Sequence, residues 1–134
     1  MQKIIFLCLI TILFLESCNL SNTVKRDDPL EAGREFIDAS LKGNSNEAKK
    51  YLLPDSLNME YFNVHESFNK NLALQEKDGL KNANIIIDSI QNISDSVTII
   101  NYSNTFKKMP EKIKLVKIKN EWFVDFKFTF LGNM

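Results

Sequence analysis

The spacing of apolar residues changes along the chain, from a helical period of three or four residues to an alternation after Asn82. The first predicted helix has Asp28 as its N-cap, a proline as its first residue, and a stop at Gly43, which tolerates a left-handed backbone. A short second helix follows Asn44 and ends before Pro54, because proline cannot continue a helix. The pattern therefore predicts two helices at the start of the domain.

A third helix is predicted from Ser56 to about Glu76, with its end marked by Asp78-Gly79. Apolar residues recur every three or four positions along this segment, and they predict the face that is turned toward the core. These positions are Leu57, Tyr61, Val64 or His65, Phe68 and Leu72.

Four strands are predicted after the helices, because β-branched and aromatic residues are enriched there. Their predicted bounds are 84–93, 96–106, 113–118 and 122–130. Asn120 is expected in a tight turn before the last strand, and a change of apolar phase between Leu115 and Val116 predicts a β-bulge. In the last strand, alternate apolar residues should face one way: Trp122, Val124, Phe126, Phe128 and Phe130.

Helices followed by antiparallel strands place the chain in the α+β class. We expect three N-terminal helices packed on one face of a curved, four-stranded antiparallel sheet. Eight of the ten phenylalanines, the single tryptophan and many isoleucines lie in this domain and supply enough apolar area for such a core. The folded domain is predicted to span residues 28–134.

Residues 1–17 have the layout of a secretion signal, a cation followed by an apolar run that is too short to cross a bilayer. Leu15-Glu16-Ser17-Cys18 resembles the lipobox cut by lipoprotein signal peptidase, although Glu16 stands where small or apolar residues are usual. The resemblance implies a lipid on Cys18. The alternative is a signal cut elsewhere, with a free thiol at Cys18.

Residues 18–27 are polar and lack periodicity, so they are predicted to form a tether between the lipid and the domain. The residues after Cys18 do not resemble the acidic surface-export signal of Bacteroidota lipoproteins. We therefore expect a lipid-anchored protein of the cell envelope, on the outer membrane and facing the periplasm.

The composition excludes several classes of partner and cofactor. With 17 basic and 17 acidic residues, the chain is not expected to bind nucleic acid. Cys18 is the one cysteine after the predicted signal, which excludes an intrachain disulfide and a zinc–thiolate cluster. A single histidine and four glycines provide neither metal-ligand spacing nor a phosphate-binding loop. We expect no metal and no other cofactor.

Two stretches of the domain resemble one protein family. The stretch from Pro29 to Leu52, with Lys42-Gly43-Asn44, resembles the opening of the family called domain of unknown function 4878. The stretch from Glu111 to Asp125 resembles its closing hairpin. The resemblance implies the cone-like, cystatin-like fold of the nuclear transport factor 2 superfamily, in lipid-anchored proteins many of which come from Bacteroidota. Proteins with this fold often form homodimers through the sheet, so the resemblance adds a homodimer to the expectations.

A cone of this kind often holds a pocket at its open end. The candidates for its lining are the aromatic residues Phe36, Tyr61, Phe68, Tyr102 and Trp122. Acid–base chemistry in the pocket would need a residue such as His65 or Asp88. His65 is also explained as a half-buried packing residue, Asp88 as a residue at the rim of the sheet, and Asp125 is expected to be solvated.

Three Asp-Ser-aliphatic triplets resemble the O-glycosylation signal of secreted Bacteroidota proteins. The hydroxyls concerned are those of Ser56, Ser89 and Ser96, and Ser96 is favoured because it lies at a predicted turn. The alternative is that the Asp-Ser pairs are ordinary caps and turns.

Because no catalytic set is evident, the sequence favours a non-enzymatic module that binds a small apolar ligand or an envelope protein. The alternative is a small acid–base enzyme, isomerase-like or hydrolase-like, that works inside the cone.

Overall fold

A computed structural model describes residues 23–132, which form five helices and one four-stranded antiparallel sheet. The helices are α1 (Pro29–Leu41), α2 (Ser45–Lys49), α3 (Ser56–Lys70), α4 (Leu74–Lys81) and, after the sheet, α5 (Phe126–Gly132). The strands β1 (Ile85–Ser94), β2 (Val97–Asn104), β3 (Glu111–Ile118) and β4 (Glu121–Val124) lie in sequence order across the sheet. The α+β class is confirmed, whereas the predicted signal and Cys18 lie outside the described residues.

Polar side chains cap the first three helices. Asp28, Asn44 and Asp55 each accept a hydrogen bond from the backbone N–H three residues later, at 2.9, 3.4 and 2.8 Å. Gly43 has a φ of 71°, so it follows α1 in the left-handed conformation expected of it. The predicted starts of the first two helices are therefore confirmed.

The predicted third helix is two helices in the structure. α3 ends at Lys70, and just beyond it the Asn71 amide donates to the Ser67 carbonyl at 3.0 Å, in competition with the helical hydrogen-bond pattern. α4 begins without a side-chain cap and ends at Lys81, beyond the stop expected at Gly79. Apolar spacing continues across the break, which is why it did not reveal the break.

The buried face of α3 is displaced by one residue from the predicted face. The expected inward residues Leu57, Val64 and Phe68 are 42, 55 and 64% exposed. Asn58 and Phe62 are buried in their place. Asn58 can be buried because its oxygen accepts the Lys127 N–H at 2.8 Å and its amide donates to Asp55 at 2.8 Å. The predicted face was therefore wrong, because a prediction from apolar residues alone does not place an asparagine in the core.

The predicted last strand is half strand and half helix. β4 ends before Asp125, whose N–H donates to the Lys114 carbonyl at 2.9 Å. α5 then packs beside the part of β3 that β4 leaves unpaired. Phe126 turns into the core, where its ring centroid lies 5.9 Å from that of Phe36 and 5.4 Å from that of Phe62. The predicted alternation therefore does not extend past β4.

The β-bulges lie in β1 rather than in β3. Pairing of β2 with β3 is continuous through Leu115 and Val116, so the predicted bulge is wrong. β1 shifts register between Ile87 and Ser89 and again near its end. An edge strand pairs on one side, which makes an extra residue easier to accommodate there.

The core lies between α1 and the sheet and continues to α3 and α5. Its most buried side chains include Ala32, Phe36, Ile37, Phe62, Ile100, Ile113, Leu115, Val124 and Phe126. Tyr102 and Trp122 belong to the same cluster.

The two ends of the sheet carry different connections. The β1–β2 and β3–β4 turns lie at one end, and residues 105–110 connect β2 to β3 at the other. In the β3–β4 turn Lys119 and Asn120 have φ of 49° and 66°, as in a two-residue hairpin, which confirms the turn expected around Asn120. A strand rises about 3.3 Å per residue, so roughly 17 Å separates the Val97 end of β2 from Tyr102.

Arg26 lies against β4. The Arg26 carbonyl accepts the Trp122 N–H at 2.7 Å, and the Arg26 guanidinium donates to Glu121 at 2.9 Å. The last part of the predicted tether is therefore held by the domain, while residues 18–22 lie outside the described part of the chain.

Candidate functional site

A cavity of about 320 Å³, here the sheet-end cavity, opens where the β2–β3 connection joins the sheet. Its apolar lining comes mainly from the helices: Phe36, Ile37, Leu41, Phe68, Leu80 and Phe126. Its polar lining consists of Ser40, His65, Asn69, Tyr102, Asn104, Lys107, Glu111 and Thr129. The cavity is therefore an apolar space with polar groups from the sheet, from the β2–β3 connection and from α1, α3 and α5.

A second cavity of about 240 Å³, here the lysine cavity, lies between α4, α3 and the end of α1. It shares Ser40, Leu41, His65, Asn69 and Leu80 with the sheet-end cavity. Its charged lining consists of Lys42, Lys70, Lys77 and Lys81 with Glu66 and Asp78. The two cavities therefore adjoin across a common wall.

α4 forms the outer wall of both cavities. The Lys77 ammonium donates to the Lys70 carbonyl at 2.6 Å, which ties α4 to the end of α3. A side chain at Gly79 would overlap the ring of Phe106, so this glycine lets α4 approach the β2–β3 connection closely. α4 thus lies against both the end of α3 and the β2–β3 connection, although none of its residues is buried.

Tyr102 and Glu111 are cross-strand partners on β2 and β3, and both line the sheet-end cavity. The Tyr102 hydroxyl donates to Glu111 Oε2 at 2.6 Å. Burial, together with the negative charge of Glu111, raises the pKa of Tyr102 well above its ordinary value. Tyr102 therefore stays protonated at neutral pH and acts as a hydrogen-bond donor.

His65 lies on α3 in the wall common to both cavities. Its ring centroid is 5.4 Å from that of Phe126, and the Asn69 amide nitrogen is 3.3 Å from its Nε2. Burial lowers the pKa of His65, and the charge of Glu111 opposes this effect. The residue has the half-buried packing position expected of it, and it also presents a neutral imidazole to the cavities.

The structure divides the five predicted pocket residues into two groups. Phe36, Phe68 and Tyr102 line the sheet-end cavity, whereas Tyr61 and Trp122 line neither this cavity nor the lysine cavity. Trp122 is buried on β4, with the Lys117 ammonium 5.7 Å from its ring. Tyr61 is half-buried on α3.

Sequence reasoning missed two important lining residues. Glu111 reaches the cavity through the register of β3 against β2, which no local pattern shows. Phe126 lines it from α5, a helix that was predicted as strand. To place Glu111 opposite Tyr102 from sequence, the register of β2 against β3 would have to be known.

Asp88 and Asp125 lie away from both cavities. Asp88 is the extra residue of the first β1 bulge and is exposed, so it is not a buried acid. Asp125, which was expected to be solvated, is buried with its Oδ2 3.3 Å from the Lys114 ammonium. The burial follows from the change from β4 to α5 at this residue.

The three candidate glycosylation serines are all exposed. Ser56 is the first residue of α3, and the Ser89 hydroxyl accepts the Asn101 amide at 2.9 Å. Ser96 lies in the β1–β2 turn, with its hydroxyl 3.4 Å from that of Ser94. These positions are compatible with modification, which stays a prediction.

Within residues 23–132, no group of three or more histidine, cysteine, aspartate or glutamate side chains is arranged to hold a metal ion. In this part of the chain no helix combines the length and the apolar character needed to cross a membrane. No protein-family model matches the chain, and comparisons with curated proteins and with solved structures give no significant match.

Proposed function

We propose that this protein is a lipid-anchored binding module of the cell envelope whose sheet-end cavity holds a small apolar ligand. The observation that carries the proposal is a space of about 320 Å³ with aromatic and aliphatic walls at one end of the sheet. Some of its polar side chains are already paired within the protein. Tyr102 donates to Glu111, and the Asn104 oxygen accepts two backbone N–H groups at 3.1 and 2.8 Å. An apolar ligand would therefore leave these groups paired.

The point at which the chain joins the domain supports the anchored arrangement. Arg26 is held by β4 at the sheet end opposite the cavity. With a lipid on Cys18, the cavity would open away from the membrane and into the periplasm. Replacing Cys18 with serine should release the protein from membranes or leave the signal uncut, and unchanged fractionation and intact mass would contradict lipidation.

The cone-like fold belongs to the same proposal. Helices on one face of the sheet and a cavity at one of its ends are consistent with the resemblance to the domain of unknown function 4878 family. Binding of an envelope protein, or of a second copy of the chain, stays a prediction.

A photoreactive apolar ligand tests the cavity. A long-chain alcohol that carries a diazirine, added to the full chain in its membrane, should label the peptides that contain Phe36 or Phe126. Leu80→Trp should reduce this labelling severalfold, because the indole would fill space in the cavity. Leu74→Trp is the matched control, since Leu74 lies on the same helix and is 74% exposed. Labelling that is spread over the surface and unaffected by Leu80→Trp would contradict the proposal.

A second candidate function is acid–base catalysis in the same cavity. It is favoured by one observation, that His65 shares the cavity with the Tyr102–Glu111 pair. The neutral imidazole would act as a base, and the Tyr102 hydroxyl would exchange its hydrogen bond to Glu111 for one to a developing oxyanion. Exchange of the α-protons of apolar ketones in deuterated water, followed by NMR, tests this function. His65→Gln should abolish the exchange, and equal exchange by the variant would exclude it.

A further inference from the structure

We infer that the ligand is an anionic amphiphile, with its apolar chain in the sheet-end cavity and its head group in the lysine cavity. This inference rests on the proposed function and adds the chemical class of the ligand. A carboxylate on one long alkyl chain has the required chemistry.

The two cavities share five lining residues and therefore lie side by side, and the proposed ligand would extend from one into the other past this shared wall. Leu41 and Leu80 contribute apolar surface to each cavity, while His65 and Asn69 lie between the two spaces. An alkyl chain that packs on Phe36 and Phe126 would therefore place its end group beside α4.

The lysine cavity carries a surplus of positive charge. The Glu66 carboxylate is neutralised by Lys70 at 2.6 Å and by Lys49 at 3.2 Å, and Lys42 pairs with Asp38 at 2.7 Å. These pairs account for two of the four lysines of the lining.

The other two lysines, Lys77 and Lys81, have no carboxylate within ion-pair distance among the described residues. The Lys77 ammonium uses one of its three donors on the Lys70 carbonyl. Asp78, which also lines the cavity, offsets one positive charge. The remaining charge favours an anionic head group over a neutral one.

Ser40 supplies an independent indication. Its Oγ is buried and has no hydrogen-bond partner within residues 23–132, and the residue lines both cavities. A buried hydroxyl without a partner is costly, and an oxygen of a bound head group would accept its proton. An anionic oxygen beside Ser40 would also lie on the side of the cavities where the lysines are found.

Two photoreactive probes of equal chain length, a fatty acid and the corresponding alcohol, test the head group on the full chain in its membrane. The double variant Lys77→Gln with Lys81→Gln should reduce labelling by the acid about fivefold, and labelling by the alcohol less than twofold. Lys77→Arg with Lys81→Arg keeps the charge and should restore labelling by the acid. High salt should weaken labelling by the acid and leave that by the alcohol unchanged.

The matched control is Lys117→Gln with Lys119→Gln, which removes two lysines at the opposite end of the sheet and should leave both probes unaffected. If the alcohol labels the cavity and the Lys77 and Lys81 variant affects both probes equally or neither, the anionic head group is excluded and the apolar cavity stands. If neither probe labels the peptides with Phe36 or Phe126, the proposed function itself is excluded.

Discussion

Glu66 connects α3 to α2 through one carboxylate. Its Oε1 lies 2.6 Å from the Lys70 ammonium on the same helix, and its Oε2 lies 3.2 Å from the Lys49 ammonium on α2. Hydrogen bonds from Lys70, Ser45 and Lys49 lower the pKa of Glu66 from 4.5 to about 2. Because the folded-state pKa is below the unfolded one, the carboxylate stabilises the fold above the unfolded value and the contribution is lost as pH falls toward the folded value.

We predict that Glu66→Gln lowers the free energy of unfolding by about 1 kcal/mol at neutral pH, since the pairs are partly exposed and screened. The difference from the unchanged protein should shrink as pH falls from the unfolded pKa of 4.5 toward the folded pKa of about 2. Urea denaturation at a series of pH values measures it. Glu60→Gln, an exposed position on the same helix, serves as the control, and a Glu66→Gln effect that is constant with pH would contradict the prediction.

His65 illustrates how far a single residue can be interpreted from sequence. Its half-buried place on α3 was foreseen, because it falls within the helical period of the third predicted helix. Its contact with Phe126 was not, since that contact depends on α5 packing against α3. The environment of a titratable group is decided by residues distant in sequence.

At the scale of elements, Asn58 joins two helices that are far apart in the chain. Its oxygen accepts the Lys127 N–H in the first turn of α5, and its amide donates to the N-cap Asp55 of α3. An N–H in the first turn of a helix has no partner within that helix, so Asn58 supplies one. Asn58 thereby holds the start of α5 against α3.

We predict that Asn58→Ala destabilises the protein by about 2 kcal/mol, because the Lys127 N–H and an Asp55 oxygen would lose buried partners. Amide exchange at Lys127 should become faster, and denaturant unfolding should give the energy. The control is Asn63→Ala, exposed on the same helix, which should change stability by less than about 0.5 kcal/mol. Equal effects of the two substitutions would show that α5 does not depend on Asn58.

The elements differ in how well the sequence predicted them. α1, α2 and the β3–β4 turn have their caps, proline and asparagine within a few residues of the feature, so their positions were correct. The break between α3 and α4 and the change from β4 to α5 were missed. At the first break the Asn71 amide binds the Ser67 carbonyl, and at the second the Asp125 N–H still bonds to β3 before α5 begins, yet neither residue interrupts the spacing of apolar residues.

At the scale of the whole molecule, the two edges of the sheet differ, since the β4 edge is covered by other parts of the chain and the β1 edge is interrupted by bulges. The outer edge of β4 is covered by residues 51–53, where the Leu53 N–H donates to the Val124 carbonyl at 2.9 Å, and by Arg26. Arg26 also lies 4.9 Å from the Phe123 ring centroid. On the β1 side, Ile86, Ile90 and Ile93 are 45, 44 and 60% exposed. The β1 bulges reduce the regularity of this edge, which disfavours pairing with other chains.

We predict that Arg26→Ala lowers stability by about 1 kcal/mol and speeds amide exchange at Trp122, because the guanidinium holds its own backbone against β4. The control is Lys25→Ala, since Lys25 pairs with Glu31 at 3.3 Å with both side chains exposed. Hydrogen exchange followed by mass spectrometry gives the comparison. If Trp122 exchanges at the same rate in both variants, the edge of β4 is closed without the Arg26 side chain.

The sequence by itself determined the α+β class, the starts of α1 and α2 and the turn at Asn120, because caps, proline, glycine and residue periodicity act over a few neighbouring positions. The tertiary structure decided the buried face of α3, the fifth helix and the cavities. These depend on pairs distant in the chain, such as Asn58 with Lys127 and Tyr102 with Glu111. Their energy comes from burial and hydrogen bonding that exist only after the helices and the sheet have packed.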